Sequence, residues 1–166
     1  MSVRPVVQLP EPVLQQRSVE VDDIDDFARA LAVDLVDTMR VAPGCVGLAA
    51  PQIGVGVRAF ALDVTGHKKA NTVNGLVVLF NPVVVASSGH VAGREGCMSV
   101  PHFTGDVDRP SAMTVQGIDV RGELVRYETD AFEARAFQHE LDHLDGLLFL
   151  DRVSSPRGIF PRKVYR

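Results

Sequence analysis

The sequence of 166 residues has only two cysteines, Cys45 and Cys97. Two cysteines are too few for the disulfide framework of a small secreted domain, and a chain of this length can bury a sizeable core without such a staple. We therefore expect two reduced thiols in a cytoplasmic protein. The alternatives are one disulfide between them, or a thiol that acts as a metal ligand or a nucleophile.

The sequence also lacks long apolar runs and blocks of basic residues. No stretch approaches the roughly 20 apolar residues of a membrane helix, and residues 1–10 carry two prolines instead of the apolar run of a signal peptide. The net charge of −4 argues against nucleic acid as the main partner. We therefore predict no membrane and no direct nucleic-acid partner. With no internal repeat, the length suits one domain, residues 1–166.

Two segments have the residue spacing of a helix. The first is predicted from Asp22 to Val41, with Asp22 or Asp23 as its cap. Its apolar residues recur every three or four positions: Ile24, Phe27, Leu31, Leu35 and Met39. The second is predicted from about residue 130 to residue 144, capped by Thr129 or Asp130 and ended by Gly146.

Short β-prone segments lie between the two helices and predict a β-rich middle of the chain. The predicted strands are residues 57–64, 76–80, 83–86, 112–120 and 124–127. Asn81-Pro82 separates the second strand from the third, and the polar residues 65–74 predict a surface loop. Residues 156–166 contain two prolines and four positive charges, and we expect a loosely held tail.

The second helix carries the motif His139-Glu140-Leu141-Asp142-His143. Residues four apart on a helix have Cβ atoms about 5–6 Å apart, and two imidazoles so placed can both reach one ion at about 2.0–2.1 Å. Glu140 points away from the ligand face and can take a proton from a metal-bound water. The alternative is a histidine pair that is only solvated or packed in the core.

A catalytic divalent metal needs a third protein ligand and one open position. Downstream of His143 only Asp145 and Asp151 could ligate; Asp145 is too close on the same helix, and nothing marks Asp151. An upstream ligand is therefore favoured, and the candidates are Cys97, Cys45, His67, His90 and His102. Cys97 follows Gly96, which lets the backbone approach an ion or substrate, although a lone cysteine is more often a buried apolar residue.

Three segments in series resemble peptide deformylases. They are Val46-Gly47-Leu48-Ala49-Ala50-Pro51-Gln52-Ile53-Gly54, then Glu95-Gly96-Cys97-Met98-Ser99, then Gln138-His139-Glu140-Leu141-Asp142-His143-Leu144-Asp145-Gly146. Their order and separations also match. A weaker match is Leu9-Pro10-Glu11-Pro12-Val13-Leu14, so that the resemblance spans Pro5 to Asp151.

The resemblance implies an α+β fold, with antiparallel sheets packed around the helix that carries both histidines. It implies the metal ligands Cys97, His139 and His143. The family's ion is commonly Fe²⁺, with Zn²⁺, Ni²⁺ or Co²⁺ as substitutes, and a thiolate–imidazole set accommodates all of them.

The resemblance further implies an enzyme of protein biosynthesis that removes the formyl group from N-terminal formylmethionine and releases formate. Its partners would be N-formylmethionyl nascent peptides, with the ribosome as one place where it meets them. Glu140 would be the acid–base residue, while Gln52 and the backbone N–H of Met98 would stabilise the oxyanion. Gly47, Gln52 and Met98 would contact the substrate.

The chain departs from the family pattern at two positions. Cys45 stands where the family usually has glycine, and Met98 replaces the more usual leucine, which leaves the backbone donor in place. Glu95 is a candidate for an ion pair with Arg109.

Two other functions compete with deformylation. One is a zincin-like peptidase that uses Asp151 as its third ligand. The other is a structural metal clamp, although structural zinc sites normally close with four protein ligands.

Overall fold

Residues 2–162, the part of the chain that this computed structural model describes, contain two antiparallel sheets and three α-helices. The helices are α1 (Asp26–Val41), α2 (Ala131–Leu144) and α3 (Phe149–Arg152). The strands are β1 (Gly47–Ala49), β2 (Ala59–Leu62), β3 (Val77–Ser88), β4 (Val91–Cys97), β5 (Val100–Arg109), β6 (Ala112–Ile118), β7 (Leu124–Asp130) and β8 (Ile159–Pro161). This architecture confirms the predicted α+β class.

The strands form one sheet of five and one sheet of three. The larger sheet has the order β1-β2-β3-β6-β7, and the smaller has the order β4-β5-β8. Every pairing within them is antiparallel. Consequently β1 is an edge strand of the larger sheet, and β4 is an edge strand of the smaller one.

Helices cover both faces of the larger sheet. Phe60 and Leu62 of β2 face the cluster that holds Phe137 of α2, and the rings of Phe60 and Phe137 meet edge to face at 5.7 Å. Ala59 and Ala61 point the other way, into the cluster of α1. Alternate residues of a strand face opposite sides of a sheet, so a strand covered on both faces is apolar throughout.

Helix α1 begins later than its predicted start at Asp22. Asp25 is the N-cap, and its side chain accepts the backbone N–H of Ala28 at 2.9 Å. The predicted cap at Asp22 or Asp23 is therefore wrong. Phe27 belongs to the predicted apolar stripe but is 58% exposed, because the buried face of α1 passes through Ala28.

Strand β3 continues through Asn81-Pro82, where the sequence predicted a break. The register with β6 shifts between Phe80 and Val83. This irregularity tolerates Pro82, which lacks a backbone donor. Asn81 has a φ of 50° and its side chain exchanges two hydrogen bonds with the backbone of Val21, at 2.8 and 2.7 Å.

The remaining helices and strands match their predicted positions to different degrees. Helix α2 lies where it was predicted, with Asp130 at the N-cap position, and residues 65–74 carry no helix or strand, as expected for a loop. The predicted strands at residues 57–64, 112–120 and 124–127 are present as β2, β6 and β7. The hairpin of β4 and β5 was not predicted.

Part of the predicted tail is paired to the smaller sheet. Residues 159–161 form β8, which pairs with residues 103–105 of β5. The backbone N–H of Arg162 then donates to the carbonyl of His102 at 2.8 Å. Residues 163–166 lie outside the described part of the chain. The single domain over residues 1–166 and the loose attachment of residues 156–166 stay predictions.

Candidate metal centre

Cys97, His139 and His143 each direct one ligand atom into a common space, and these atoms lie within 4.8 Å of one another. Helix α2 places the two histidines one turn apart, with ring centroids 5.0 Å apart and the rings edge to face. Cys97 ends strand β4, and its Sγ lies 3.4 Å from Nε2 of His143. Within residues 2–162 no other group of three such side chains meets this criterion.

The other candidate ligands are used elsewhere or stand apart from this cluster. The Asp151 carboxylate accepts the backbone N–H of Leu148 at 2.8 Å and so caps α3. Asp145 pairs with Arg58 at 3.0 Å. Neither belongs to the cluster, which leaves the zincin-like peptidase without the third ligand that it would need.

The donor set fits a catalytic divalent ion. Burial alone would raise the pKa of the Cys97 thiol, yet the charge of His143 and hydrogen bonds from both histidines hold that pKa well below its usual range. A thiolate and two imidazoles are three good ligands, and they leave one position open. Nδ1 of His139 lies 2.9 Å from Oε1 of Glu95, which leaves Nε2 for the ion.

A buried ionic network supports this histidine. Arg109 donates to both oxygens of Glu95, at 2.6 and 2.8 Å, which confirms the predicted ion pair. Arg109 also reaches Asp142 at 2.9 Å, and Arg135 reaches Glu95 at 2.7 Å. Although burial opposes it, Arg109 and His139 lower the pKa of Glu95 to about 2 through their hydrogen bonds and charge. The sequence reasoning missed Arg135 and Asp142, although Asp142 lies within the histidine motif.

Glu140 lies beside the cluster with its carboxylate buried. Its Oε2 has no hydrogen-bond partner among the described residues. Burial raises the pKa of Glu140 to about 7, while the nearby His139 and His143 act in the opposite direction. Such a carboxylic group can both accept and return a proton near neutral pH.

Gln52 is held in place by its neighbours. Its Oε1 accepts the backbone N–H of Ala49 at 3.0 Å, and its Nε2 faces Sγ of Cys97 at 3.4 Å. The same Nε2 donates to Oγ of Ser99 at 3.2 Å, and Ser99 donates to the carbonyl of Val7 at 2.7 Å. The sequence reasoning gave Ser99 no role, and its place after Cys97-Met98 was the only available signal.

A cavity of about 240 Å³ opens beside the ligand cluster. The cavity is lined by residues 43–47, by Gln52, by residues 94–98, by residues of α2 and by Arg162. The predicted site residues on this cavity are Gly47, Gln52, Cys97, Met98, His139 and Glu140. The remaining one, His143, is buried behind the cavity in contact with Cys97.

Cys45 lies on the same cavity wall as Gly47. Its Sγ is 3.2 Å from the carbonyl oxygen of Gly47, to which the thiol can donate. Burial, together with the nearby Glu140 carboxylate, raises the pKa of Cys45 to about 11. The residue is therefore a neutral thiol at physiological pH.

The chain is similar to known proteins along nearly its whole length. Residues 3–158 match the sequence model of a family described as polypeptide deformylase. A peptide deformylase of Desulforudis audaxviator is 44% identical over 164 residues, which are 98% of this chain and 99% of that protein.

Solved structures show the same fold. A peptide deformylase of Ehrlichia chaffeensis in complex with actinonin has a TM-score of 0.87 and 34% identity, covering 95% of this chain and 92% of that one. A Met-Ala-Ser-bound peptide deformylase of Acinetobacter baumannii has a TM-score of 0.82 and 32% identity, covering 92% of this chain and 100% of that one. Within residues 2–162, no helix combines the length and apolar character needed to cross a bilayer. With sequence and fold in agreement, this chain belongs to the polypeptide deformylase family.

Proposed function

We propose that this chain hydrolyses the N-formyl group of N-terminal formylmethionine, with Cys97, His139 and His143 as metal ligands and Glu140 as the acid–base residue. The observation that carries these roles is the position of Glu140. Its buried carboxylate lines the same cavity as Cys97 and His139 and has one oxygen without a hydrogen-bond partner among residues 2–162.

The ligand set suits Fe²⁺, with Zn²⁺, Ni²⁺ or Co²⁺ as substitutes. When bound, such an ion polarises the formyl carbonyl and makes water a better nucleophile near neutral pH. Glu95 contributes by fixing the ring orientation of His139, since its carboxylate is itself held by Arg109 and Arg135.

Glu140 accounts for the proton transfers. It accepts the proton of the attacking water as the new C–O bond forms at the formyl carbon. It then delivers that proton to the amide nitrogen as the C–N bond breaks, which yields formate and a free N-terminus. A pKa of about 7 suits both roles, because the group is partly in each protonation state at working pH.

Gln52 and the backbone N–H of Met98 are the proposed donors to the formyl oxygen as it gains charge. Gln52 is suited to this role because Ala49 fixes its carbonyl end, so that its amide hydrogens face the cluster. Loss of one such donor typically lowers the rate by about 10²–10³.

The cavity also suits an extended peptide. It lies between β1 and β4, each of which is an edge strand of its sheet. Edge strands present unpaired backbone groups that bind extended peptides by strand addition. The relative from A. baumannii binds Met-Ala-Ser, a peptide that begins with unformylated methionine. We propose that nascent peptides, including those still on the ribosome in the cytoplasm, bind in this cavity.

Formate release from formyl-Met-Ala-Ser tests this function. The enzyme should be purified without oxygen, because an Fe²⁺–thiolate centre is prone to oxidation. We expect Glu140→Ala to retain one metal ion per chain and to lose nearly all turnover. Glu128→Ala, which removes an exposed glutamate, is the matched control. Near-normal turnover of Glu140→Ala, or cleavage of internal peptide bonds by the wild type, would overturn the proposal.

A further inference from the structure

Arg162 reaches the cavity from a part of the chain remote from the metal motifs. Its backbone extends the pairing of β8 with β5 through the hydrogen bond to His102. Its guanidinium occupies the space that a side chain at residue 96 would fill. Glycine at position 96 therefore makes room for Arg162 directly beside the ligand Cys97.

The other arginines of the cavity are engaged by carboxylates. Arg94 pairs with Asp106 at 2.8 Å and lies over the ring of Phe160 at 3.8 Å. Arg135 pairs with Glu95 at 2.7 Å and donates to two backbone carbonyls. Across residues 2–162, no carboxylate lies within ion-pair distance of Arg162. Among the described residues, Arg162 is thus the arginine of this cavity whose guanidinium has no carboxylate partner.

We propose that Arg162 is a specificity-determining residue, which binds a carboxylate in the second or third residue of the formylmethionyl peptide. This inference rests on the proposed function. The formyl group reacts beside Cys97, and Gly96 precedes Cys97 on the edge strand β4. An extended peptide along this edge advances about 3.3 Å per residue. The guanidinium of Arg162, which lies against Gly96, therefore borders the peptide residues just after the methionine.

The chemistry of arginine suits a carboxylate. The guanidinium presents a planar fork of donors that matches the two oxygens of a carboxylate. The half-buried position beside the cavity wall shields such a pair from water more than an open surface would. The expected preference is therefore for aspartate or glutamate over the neutral amides of the same shape.

The test compares peptides that differ only in charge. The two pairs are formyl-Met-Glu-Ala-amide with formyl-Met-Gln-Ala-amide, and formyl-Met-Ala-Glu-amide with formyl-Met-Ala-Gln-amide. The amidated end removes the terminal carboxylate. In at least one pair we expect the wild type to favour the glutamate peptide about fivefold in kcat/KM, the upper range of a partly solvated ion pair. The preference should act through KM and shrink with added salt.

Variants then assign the preference to one side chain. Arg162→Gln should bring the ratio within each pair to about one, and Arg162→Lys should retain part of it, because a point charge lacks the fork. Arg157→Gln removes an equal charge from an exposed position near the same end of the chain and should keep the wild-type ratio. This control separates a local contact from the effect of net charge.

Each outcome decides one of the two proposals. Formate release by the wild type with equal rates in both pairs overturns the role of Arg162 and leaves the deformylase activity standing. An unchanged ratio in Arg162→Gln does the same. No formate release from any of the four peptides overturns the proposed function, and the role of Arg162 falls with it.

Discussion

A Cβ atom on Gly47 would lie 2.6 Å from Oε1 of Glu140. The edge strand β1 thus approaches the Glu140 carboxylate so closely that a side chain at residue 47 would displace Glu140 or the strand. Gly47 was predicted to contact the substrate, and the structure gives it a second role in the placement of Glu140. The two motifs that carry these residues are more than 90 positions apart in the sequence and meet at this contact.

The variant Gly47→Ala tests that relationship. The added methyl group must displace the Glu140 side chain or the backbone of β1. A displacement of about 1 Å at a reacting group can cost about 10²-fold in rate, so we expect kcat/KM for formyl-Met-Ala-Ser to fall by that order.

Metal content and the thermal midpoint should stay close to those of the wild type, because the three atoms nearest this methyl group all belong to Glu140 and not to the proposed ligands. Gly56→Ala is the matched control, since a Cβ there would meet only Val13 at an ordinary 3.9 Å. Full activity of Gly47→Ala would show that the close approach does not constrain Glu140.

The free energy of unfolding at acid pH tests the ion pairs that hold Glu95. The pKa of this carboxylate is lowered from 4.5 to about 2, so its contribution to folding is complete above pH 4.5 and is lost as the pH falls towards 2. A shift of this size corresponds to about 3 kcal/mol. We expect Glu95→Gln to be destabilised at pH 7, because Arg109 and Arg135 lose their buried partner.

Urea unfolding of the metal-free proteins between pH 7 and pH 3 would measure this. The difference in unfolding free energy between wild type and Glu95→Gln should narrow steadily below pH 4.5. A difference that stays constant down to pH 3 would mean that Glu95 is not held ionised by its neighbours. Glu128→Gln, at an exposed position, should show little difference at any pH.

Cys45 should react slowly with alkylating reagents at neutral pH. With a pKa of about 11, its thiolate fraction rises about tenfold per pH unit up to that value. The rate at which iodoacetamide alkylates Cys45 can be measured by peptide mass mapping of the metal-loaded protein. We expect this rate to keep rising through pH 10. A plateau near pH 9 would show that burial and Glu140 do not perturb this thiol.

The parts of the site that were predictable depend on local signals. Helix α2 was placed correctly because an aspartate at the N-cap position, a helical spacing and a terminal glycine all lie within its own segment. The pairing of His139 with His143 follows from that helix alone. Cys97 was one of five upstream candidate ligands, and only the resemblance singled it out. Gln52 and Met98 could be named only through the resemblance, since no local pattern separates them from buried or loop residues.

The strands and side chains that the sequence did not predict depend on contacts between distant segments. Strands β4 and β5 have glycines and charged residues where isolated strands would alternate apolar residues, and their pairing with each other and with β8 stabilises them. Within β3, the side chain of Asn81 bonds to the backbone of Val21, 60 positions away. Arg162 reaches the cavity only because β8 pairs with β5.

X-ray absorption at the zinc edge of the Zn²⁺-loaded protein tests the central claim most directly, that one sulfur and two imidazoles hold a single ion. We expect one sulfur at about 2.3 Å and two histidine nitrogens at about 2.0–2.1 Å, with the sulfur signal lost in Cys97→Ser and kept in Cys45→Ser. A first shell without sulfur in the wild type, or an unchanged spectrum in Cys97→Ser, would contradict the account.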